Sequence, residues 1–393
     1  HTSTGRWKLQ FSGVNLGSEG VEAVFDELLL VAYTPRGLYV HRHDGRLGVS
    51  THGKSTEATG RPIMVYGPRG EADWASALDD TVLPKLAEGG CIPLDSVPFD
   101  DPRMAAAQAS HPPTGTAAAY EGVRLSDCSG SARGTILTAV ARQIDAALHP
   151  DATIEDADPG TCIDGKLRGQ HSAAYDWKRD GRRVACKSAQ LAWHTSTGRW
   201  KLQFSGVNLG SEGVEAVFDE LLLVAYTPRG LYVHRHDGRL GVSTHGKSTE
   251  ATGRPIMVYG PRGEADWASA LDDTVLPKLA EGGCIPLDSV PFDDPRMAAA
   301  QASHPPTGTA AAYEGVRLSD CSGSARGTIL TAVARQIDAA LHPDATIEDA
   351  DPGTCIDGKL RGQHSAAYDW KRDGRRVACK SAQLAWHTST GRW

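Results

Sequence analysis

The sequence lacks long apolar runs and it lacks paired cysteine motifs. Its longest apolar stretch, near Leu221–Tyr226, is far too short to span a bilayer, so we expect no membrane partner. The eight cysteines are scattered, without CxxC or the Cys/His spacing of a zinc site, which predicts buried or free thiols and favours an intracellular reducing compartment. The chain opens at His1 rather than at Met, so the sequence leaves targeting and location open.

The composition is that of an ordinary globular protein. Hydrophobic residues make up 40% and charged residues 23%, and the formal net charge is −7. These values exclude a disordered or collagen-like chain.

The chain is a tandem repeat. Residues 194–386 repeat residues 1–193 letter for letter, and 387–393 repeat 1–7. A unit of this length can fold independently, unlike a short solenoid repeat. Residues 104–121, rich in Ala, Pro, Gly, Ser and Thr, predict a linker. Residues 104–296 then form one complete unit, 1–103 the C-terminal part of a preceding unit and 297–393 the N-terminal part of a following one. We expect contact between these two terminal half-units.

Periodicity within the complete unit predicts a mixed α/β fold. Helical spacing of apolar residues predicts a helix over 134–148, followed by a polar acidic loop over 151–169. Strands are predicted over 174–178, 182–193, 200–207, 218–226, 231–236 and 255–259, and a last helix over 264–279. A turn at Pro228-Arg229-Gly230 joins the fourth and fifth of these strands. The order of elements predicts a mixed β-sheet flanked by helices, repeated in tandem.

A hairpin brings a carboxylate and an ammonium together. With Asp180 and Gly181 as a two-residue turn, the pairing sets Trp177 opposite Val184. Period-two alternation then places Asp176, Ala185 and Lys187 on one face, with Val184 and Cys186 on the other.

The arrangement of Asp176 on one strand, Lys187-Ser188 on the next, a preceding helix and the strands WKLQFSGV and FDELLLVAY resembles the PD-(D/E)XK superfamily of restriction-endonuclease-like nucleases. The resemblance implies a restriction-endonuclease-like fold and Mg²⁺-dependent phosphodiester hydrolysis. It makes Asp176 a metal ligand and Lys187 the residue that activates water or stabilises charge, with Asp369 and Lys380 repeating these roles. A cation held between two carboxylates polarises the phosphoryl oxygen and lowers the pKa of bound water.

The sequence departs from that superfamily at one position. The second carboxylate is replaced by Ala185, and by Ala378 in the copy. Two alternatives stay open: a carboxylate of the acidic loop takes its place, or the unit is an inactive module that retains binding only. The loop candidates are Glu155, Asp156, Asp158 and Asp164. A third hypothesis is that the unit is an unrelated α/β interaction domain.

Basic residues surround the hairpin. Between Lys166 and Lys201 there are nine basic residues against two acids, in a chain whose net charge is negative. Such a patch favours a polyanionic partner, with DNA expected, because cations release the counterions condensed on nucleic acid. The residues predicted to contact backbone phosphates are Lys178, Arg179, Arg182 and Arg183. The alternative is a solvated hairpin edge that charge protects from aggregation.

Two histidines, His234 and His236, are spaced to share one strand face. They have the residue type for metal binding, but no third ligand is indicated, so a surface role is expected.

Overall fold

In the computed structural model the chain divides into two compact units. The continuous unit is Thr114–Pro306, and the composite unit joins His1–Pro113 to Thr307–Trp393. The structure describes residues 5–14, 25–49, 61–123, 125, 130–157, 162–163, 166–167, 175–207, 209, 218–243, 254–316, 318, 323–350, 355–356, 359–360 and 368–387. In the composite unit, the leading and trailing segments share sheets: Trp7 pairs with Trp386, and Leu29 with Cys379.

The division falls inside the segment predicted to be a linker, between Pro113 and Thr114. That segment is not an unstructured linker, because it contains most of a helix, Pro102–Ser110, whose Met104 and Ala107 are buried. Asp101 caps this helix by accepting a hydrogen bond from the Arg103 N–H at 2.8 Å, and proline at the first turn loses no hydrogen bond. A cap, a proline and a run of alanines therefore specify a helix that apolar periodicity alone does not indicate.

The elements of the continuous unit run as follows: α1 (Thr116–Ala119), α2 (Gly130–Leu148), β1 (Ile154–Asp156), β2 (Cys162–Ile163), β3 (Lys166–Leu167), β4 (Trp177–Arg179), β5 (Arg182–Gln190), β6 (Ala192–His194), β7 (Arg199–Val207), β8 (Glu220–Thr227), β9 (Gly230–His236), β10 (Arg254–Tyr259), α3 (Trp267–Ala270), a π-helical turn (Leu271–Val275), α4 (Leu276–Glu281), β11 (Cys284–Pro291) and α5 (Pro295–Ser303).

The composite unit repeats these elements. Its strands are Arg6–Val14, Glu27–Thr34, Gly37–His43, Arg61–Tyr66, Cys91–Pro98, Ile347–Asp349, Cys355–Ile356, Lys359–Leu360, Trp370–Arg372, Arg375–Gln383 and Ala385–His387. Its helices are Trp74–Ala77, the π-helical Leu78–Val82, Leu83–Glu88, Pro102–Ser110, Thr309–Ala312 and Gly323–Leu341.

Each unit is a mixed α/β domain built on a six-stranded sheet. In the continuous unit the strand order is β11-β9-β8-β5-β4-β1, in which β5 and β8 run parallel and the other neighbours are antiparallel. A three-stranded sheet, β6-β7-β10, and a two-stranded ribbon, β2-β3, accompany it. The chain leaves β5, forms the β6-β7 hairpin, and returns as β8.

The six-stranded sheet is buried on both faces. One face packs on α2 and α5 through Val184, Leu222 and Val224. The other packs on the three-stranded sheet and on α3 and α4 through Ala185 and Leu223. We call these the helix face and the sheet face. Burial on both faces accounts for the continuous apolar run of β8, as the sequence predicts for such a strand.

Two predicted elements need correction. The acidic loop over 151–169 contains the short strands β1, β2 and β3. The last helix is split at Leu271–Val275, where the backbone is π-helical just before Pro277. Proline cannot donate the usual helical hydrogen bond, so the backbone widens next to it. The predicted helix over 134–148 is confirmed and begins four residues earlier, at Gly130.

Among the helices that the structure describes, none is both long and apolar enough to cross a membrane. The cysteines with described side chains, Cys91, Cys186, Cys284 and Cys379, are buried free thiols.

Candidate functional site

The predicted hairpin forms with the predicted register. Arg179 pairs with Arg182 and Trp177 with Val184. Asp180 and Gly181 have φ values of +49° and +76°, the left-handed geometry that a type I′ turn requires at both central positions. The turn chemistry of an Asp-Gly pair therefore sets which side chains of β4 and β5 are neighbours.

Asp176 lies one residue before β4 and is anchored to β5. Its backbone N–H donates to the Val184 carbonyl at 2.8 Å, and its Oδ2 accepts from the Cys186 N–H at 2.7 Å. Burial raises the pKa of Asp176, against the opposing effects of the Cys186 N–H and the Lys187 ammonium. The composite unit repeats this with Asp369, Cys379 and Lys380. The Lys187 ammonium is thus within electrostatic range of Asp176, although the two groups form no ion pair among the described contacts.

Ala185 occupies the place of the second carboxylate and is fully buried. It pairs with Leu221 on the parallel strand and belongs to the hydrophobic cluster of the sheet face. Lys187, two residues further on, pairs with Leu223 on the same face. Cys186 points to the helix face, where burial raises the pKa of its thiol far from the range of a reactive thiolate.

Of the loop candidates for the missing carboxylate, the structure describes Glu155 and Asp156, and Glu155 shares the face of its cross-strand partner Lys178. Asp156 pairs with Trp177 and accepts from the Arg142 guanidinium of α2 at 2.5 Å, so it serves the helix face. This rules against Asp156 as a relocated ligand. Glu155 pairs with Lys178 and is exposed. Asp158 and Asp164 lie outside the described residues.

A Mg²⁺ site of the kind that the resemblance implies needs two convergent carboxylates. The described residues of the site offer one, Asp176, next to a methyl group. No group of three or more His, Cys, Asp or Glu side chains placed to hold a metal occurs in the described part of the chain.

The four basic residues predicted to contact phosphate divide between two faces. Lys178 and Arg183 pair across the hairpin and alternate with Trp177 and Val184, so they lie on the face of Asp176. Arg183 forms a two-pronged ion pair with Asp219, and both partners are more than a third exposed. Arg182, on the helix side, has a 61% exposed side chain.

Arg179 has a structural role in place of the predicted phosphate contact. Its side chain is 7% exposed, and its guanidinium donates to both Asp145 of α2 and Glu220 of β8, the latter at 2.6 Å. The Trp177 indole N–H also donates to Asp145, at 2.8 Å. This buried ion network joins α2, β4 and β8. The sequence feature that indicates this network is a single acidic residue, Asp145, on the apolar face of the predicted helix.

The surface role expected for the two histidines is wrong. His234 and His236 are 5% and 8% exposed. The Nε2–H of His236 donates to the Leu240 carbonyl at 2.7 Å, and its Nδ1 accepts from the Gly238 N–H at 3.0 Å. The Nδ1 of His234 has no hydrogen-bond partner among the described residues, and burial lowers its pKa. As predicted, they share a face: they pair with Leu223 and Leu221, which also flank Lys187 and Ala185.

No family model, curated protein or solved structure matches the chain.

The raised pKa of Asp176 predicts a stabilising substitution. Because folding raises the pKa of this buried carboxyl group, the folded state favours its protonated form. The group therefore costs the fold least below its ordinary pKa, and stability is lost as pH rises through the pKa of the folded state. Asp176→Asn with Asp369→Asn should therefore raise the melting temperature at pH 7, by roughly 2–4 °C for each kcal/mol of desolvation removed. The gain should shrink on acidification. A variant that melts below the parent at pH 7 would contradict this assignment.

Proposed function

We propose that each unit is a nuclease-like, DNA-binding domain that contacts the phosphodiester backbone at the β4-β5 hairpin, where Asp176 and Lys187 are half-buried. The observation that carries the proposal is the anchoring of Asp176 to β5 by the Cys186 N–H, one residue before Lys187, whose positive charge acts on the Asp176 carboxyl. Lys178 and Arg183 extend the cationic face beside them. Their charges would displace the counterions condensed on a nucleic acid.

The architecture supports a restriction-endonuclease-like assignment. A hairpin strand, β5, runs parallel to a fully buried strand, β8, within a mixed sheet that packs on the long helix α2. Fold resemblance alone does not assign an activity, so the proposal depends on the side chains of the site.

Binding without efficient hydrolysis is the form of the proposal that the described residues favour. Mg²⁺, where bound, would be held by Asp176 and would lower the pKa of a coordinated water. Because Ala185 contributes only a methyl group, the ion would lack its second carboxylate ligand. Lys187 would then act through charge alone, by attracting a phosphate.

Hydrolysis stays the second candidate. The observation that favours it is Asp176 itself, a carboxylate kept within a largely apolar site although burial raises its pKa. Such costly groups occur preferentially at functional sites.

The experiment is a duplex-DNA titration with the full chain at several salt concentrations, together with plasmid nicking in Mg²⁺ or Mn²⁺. We expect binding that weakens steeply with salt and little nicking. If the unit binds DNA without hydrolysing it, Asp176→Asn with Asp369→Asn removes a negative charge beside phosphate. DNA affinity should then be equal to that of the parent or higher. Nicking that these substitutions abolish would support hydrolysis. Absence of binding at low salt would contradict both.

A further inference from the structure

The continuous unit has a cleft whose described lining includes neither Asp176 nor Lys187. This cleft, of about 700 Å³, opens at the end of the six-stranded sheet where β5 and β8 begin and β9 ends. Arg182, Glu220 and Arg235 line it, together with Leu209, Phe218 and Ile285. This volume is in the range of pockets that hold one small organic ligand.

The carboxylates of this cleft already have partners. Glu220 accepts from Arg179 at 2.6 Å, and Asp219 is held by Arg183 at 2.8 Å. Asp237 pairs with Arg239 at 2.6 Å. Asp180 accepts from the Thr153 N–H at 2.8 Å. Each of these acids therefore has its strong hydrogen bond without drawing on Arg182 or Arg235.

Two guanidinium groups remain available. Arg182 is 61% exposed, and its closest carboxylate, Glu220, is 4.0 Å away and already engaged by Arg179. Arg235 is partly buried and has neither an ion-pair partner nor a hydrogen-bonding side-chain partner among the described residues. A partly desolvated guanidinium without an acceptor is costly, which a bound anion would relieve.

The remaining lining selects among anions. Leu209, Phe218 and Ile285 are its apolar lining residues; Phe218 is 8% exposed and part of the core, whereas Ile285 is 40% exposed. Guanidinium groups bind phosphate through paired N–H donors. An inorganic anion would leave the exposed Ile285 side chain uncovered. A ligand that joins a phosphate to a ring system would contact the arginines with its phosphate and Ile285 with its ring.

We propose that this cleft binds the phosphomonoester group of a nucleotide, with Arg182 and Arg235 on the phosphate and the base against Ile285. The ligand is either a free nucleoside monophosphate or the phosphorylated end of a single strand. Arg235 pairs with Leu222 and so lies on the helix face, opposite Lys187, while Asp219 of the cleft is held by Arg183 of the proposed DNA-binding face. In the composite unit, Arg375 and Arg42 are the equivalent arginines. There Glu27 is held by Arg372, and Asp26 is held by Arg376.

The test is calorimetric titration of the full chain with AMP and with adenosine, which lacks the phosphate. AMP should bind, and adenosine should bind far more weakly. Arg235→Gln with Arg42→Gln should weaken AMP binding by roughly tenfold or more, since hydrogen bonds to charged groups contribute more than neutral ones. Arg229→Gln with Arg36→Gln removes the same charge from arginines that are paired with Asp272 and Asp79, and should leave AMP affinity unchanged.

A second titration separates the two sources of phosphate. If a 5′-phosphorylated single-stranded oligonucleotide competes with AMP and its unphosphorylated form does not, the ligand is the end of a strand. If neither oligonucleotide competes, the ligand is the free nucleotide. Equal affinity for AMP and adenosine, no binding of AMP, or equal losses in the Arg235 and Arg229 variants would overturn the proposal. Duplex-DNA binding through the face of Lys187 should be unaffected by Arg235→Gln, so failure here and failure of the proposed function are distinguishable.

Discussion

Replacing Arg179 by alanine in both copies, Arg179→Ala with Arg372→Ala, should destabilise each unit by about 3–5 kcal/mol, because it leaves buried carboxylates without a cation. Asp145 is 1% exposed and Glu220 is 8% exposed, and both accept hydrogen bonds from this one guanidinium. The measurement is urea unfolding of the full chain, followed by tryptophan fluorescence. Trp177, whose indole donates to Asp145, is one of the nine tryptophans that contribute to this signal.

A neighbouring arginine provides the matched control. Arg183→Ala with Arg376→Ala removes the same side chain four residues away, but its pair with Asp219 is more than a third exposed. Solvent screens such a pair, so its loss should cost at most about 1 kcal/mol. Equal unfolding midpoints for the two variants would show that Arg179 is not buried in an ion network.

Ala185→Glu with Ala378→Glu should raise Mg²⁺-dependent plasmid nicking by roughly tenfold or more, which corresponds to about 1.4 kcal/mol of added stabilisation at the site. Ala185 directly precedes Cys186, whose N–H donates to Asp176 at 2.7 Å, so we expect a carboxylate at this position to lie near Asp176. The readouts are nicking rate and Mn²⁺ affinity. A cost in stability should accompany the gain, because Ala185 is fully buried and pairs with Leu221.

Glutamine is the control for size. Ala185→Gln with Ala378→Gln should carry the same packing cost without the added charge, and should leave both nicking and Mn²⁺ affinity at the parent level. If glutamate and glutamine behave alike in a folded chain, the strand pairing or the nuclease assignment is incorrect.

The hairpin shows how much the sequence could predict. Asp180-Gly181 dictates a turn with positive φ at both positions, and that turn alone fixes the partners of β4 and β5. The burial of β8 on both faces also follows from its unbroken apolar run. These are local signals, in which a few adjacent residues decide the backbone.

The features that the sequence did not predict depend on contacts between distant segments. Whether Arg179 faces water or Asp145 depends on where α2 packs, 34 residues earlier in the chain. The burial of His234 likewise depends on its neighbours Leu223 and Pro286, on the strands either side of it. Small alanines make the buried face of the helix Pro102–Ser110 inconspicuous, so apolar periodicity does not indicate this helix. Its aspartate cap and its proline do indicate a helix start.

We propose that Lys187, which follows the Cys186 N–H that anchors Asp176, contacts phosphate. The most direct test of this contact is the affinity of the full chain for duplex DNA across a salt series, with Lys187→Gln plus Lys380→Gln compared with Lys278→Gln plus Lys85→Gln. The second pair removes the same charge from exposed lysines that donate to backbone carbonyls elsewhere. We expect weaker binding and a shallower dependence of log K on log salt for the Lys187 variant only. Indistinguishable salt series for the two variants would contradict the claim.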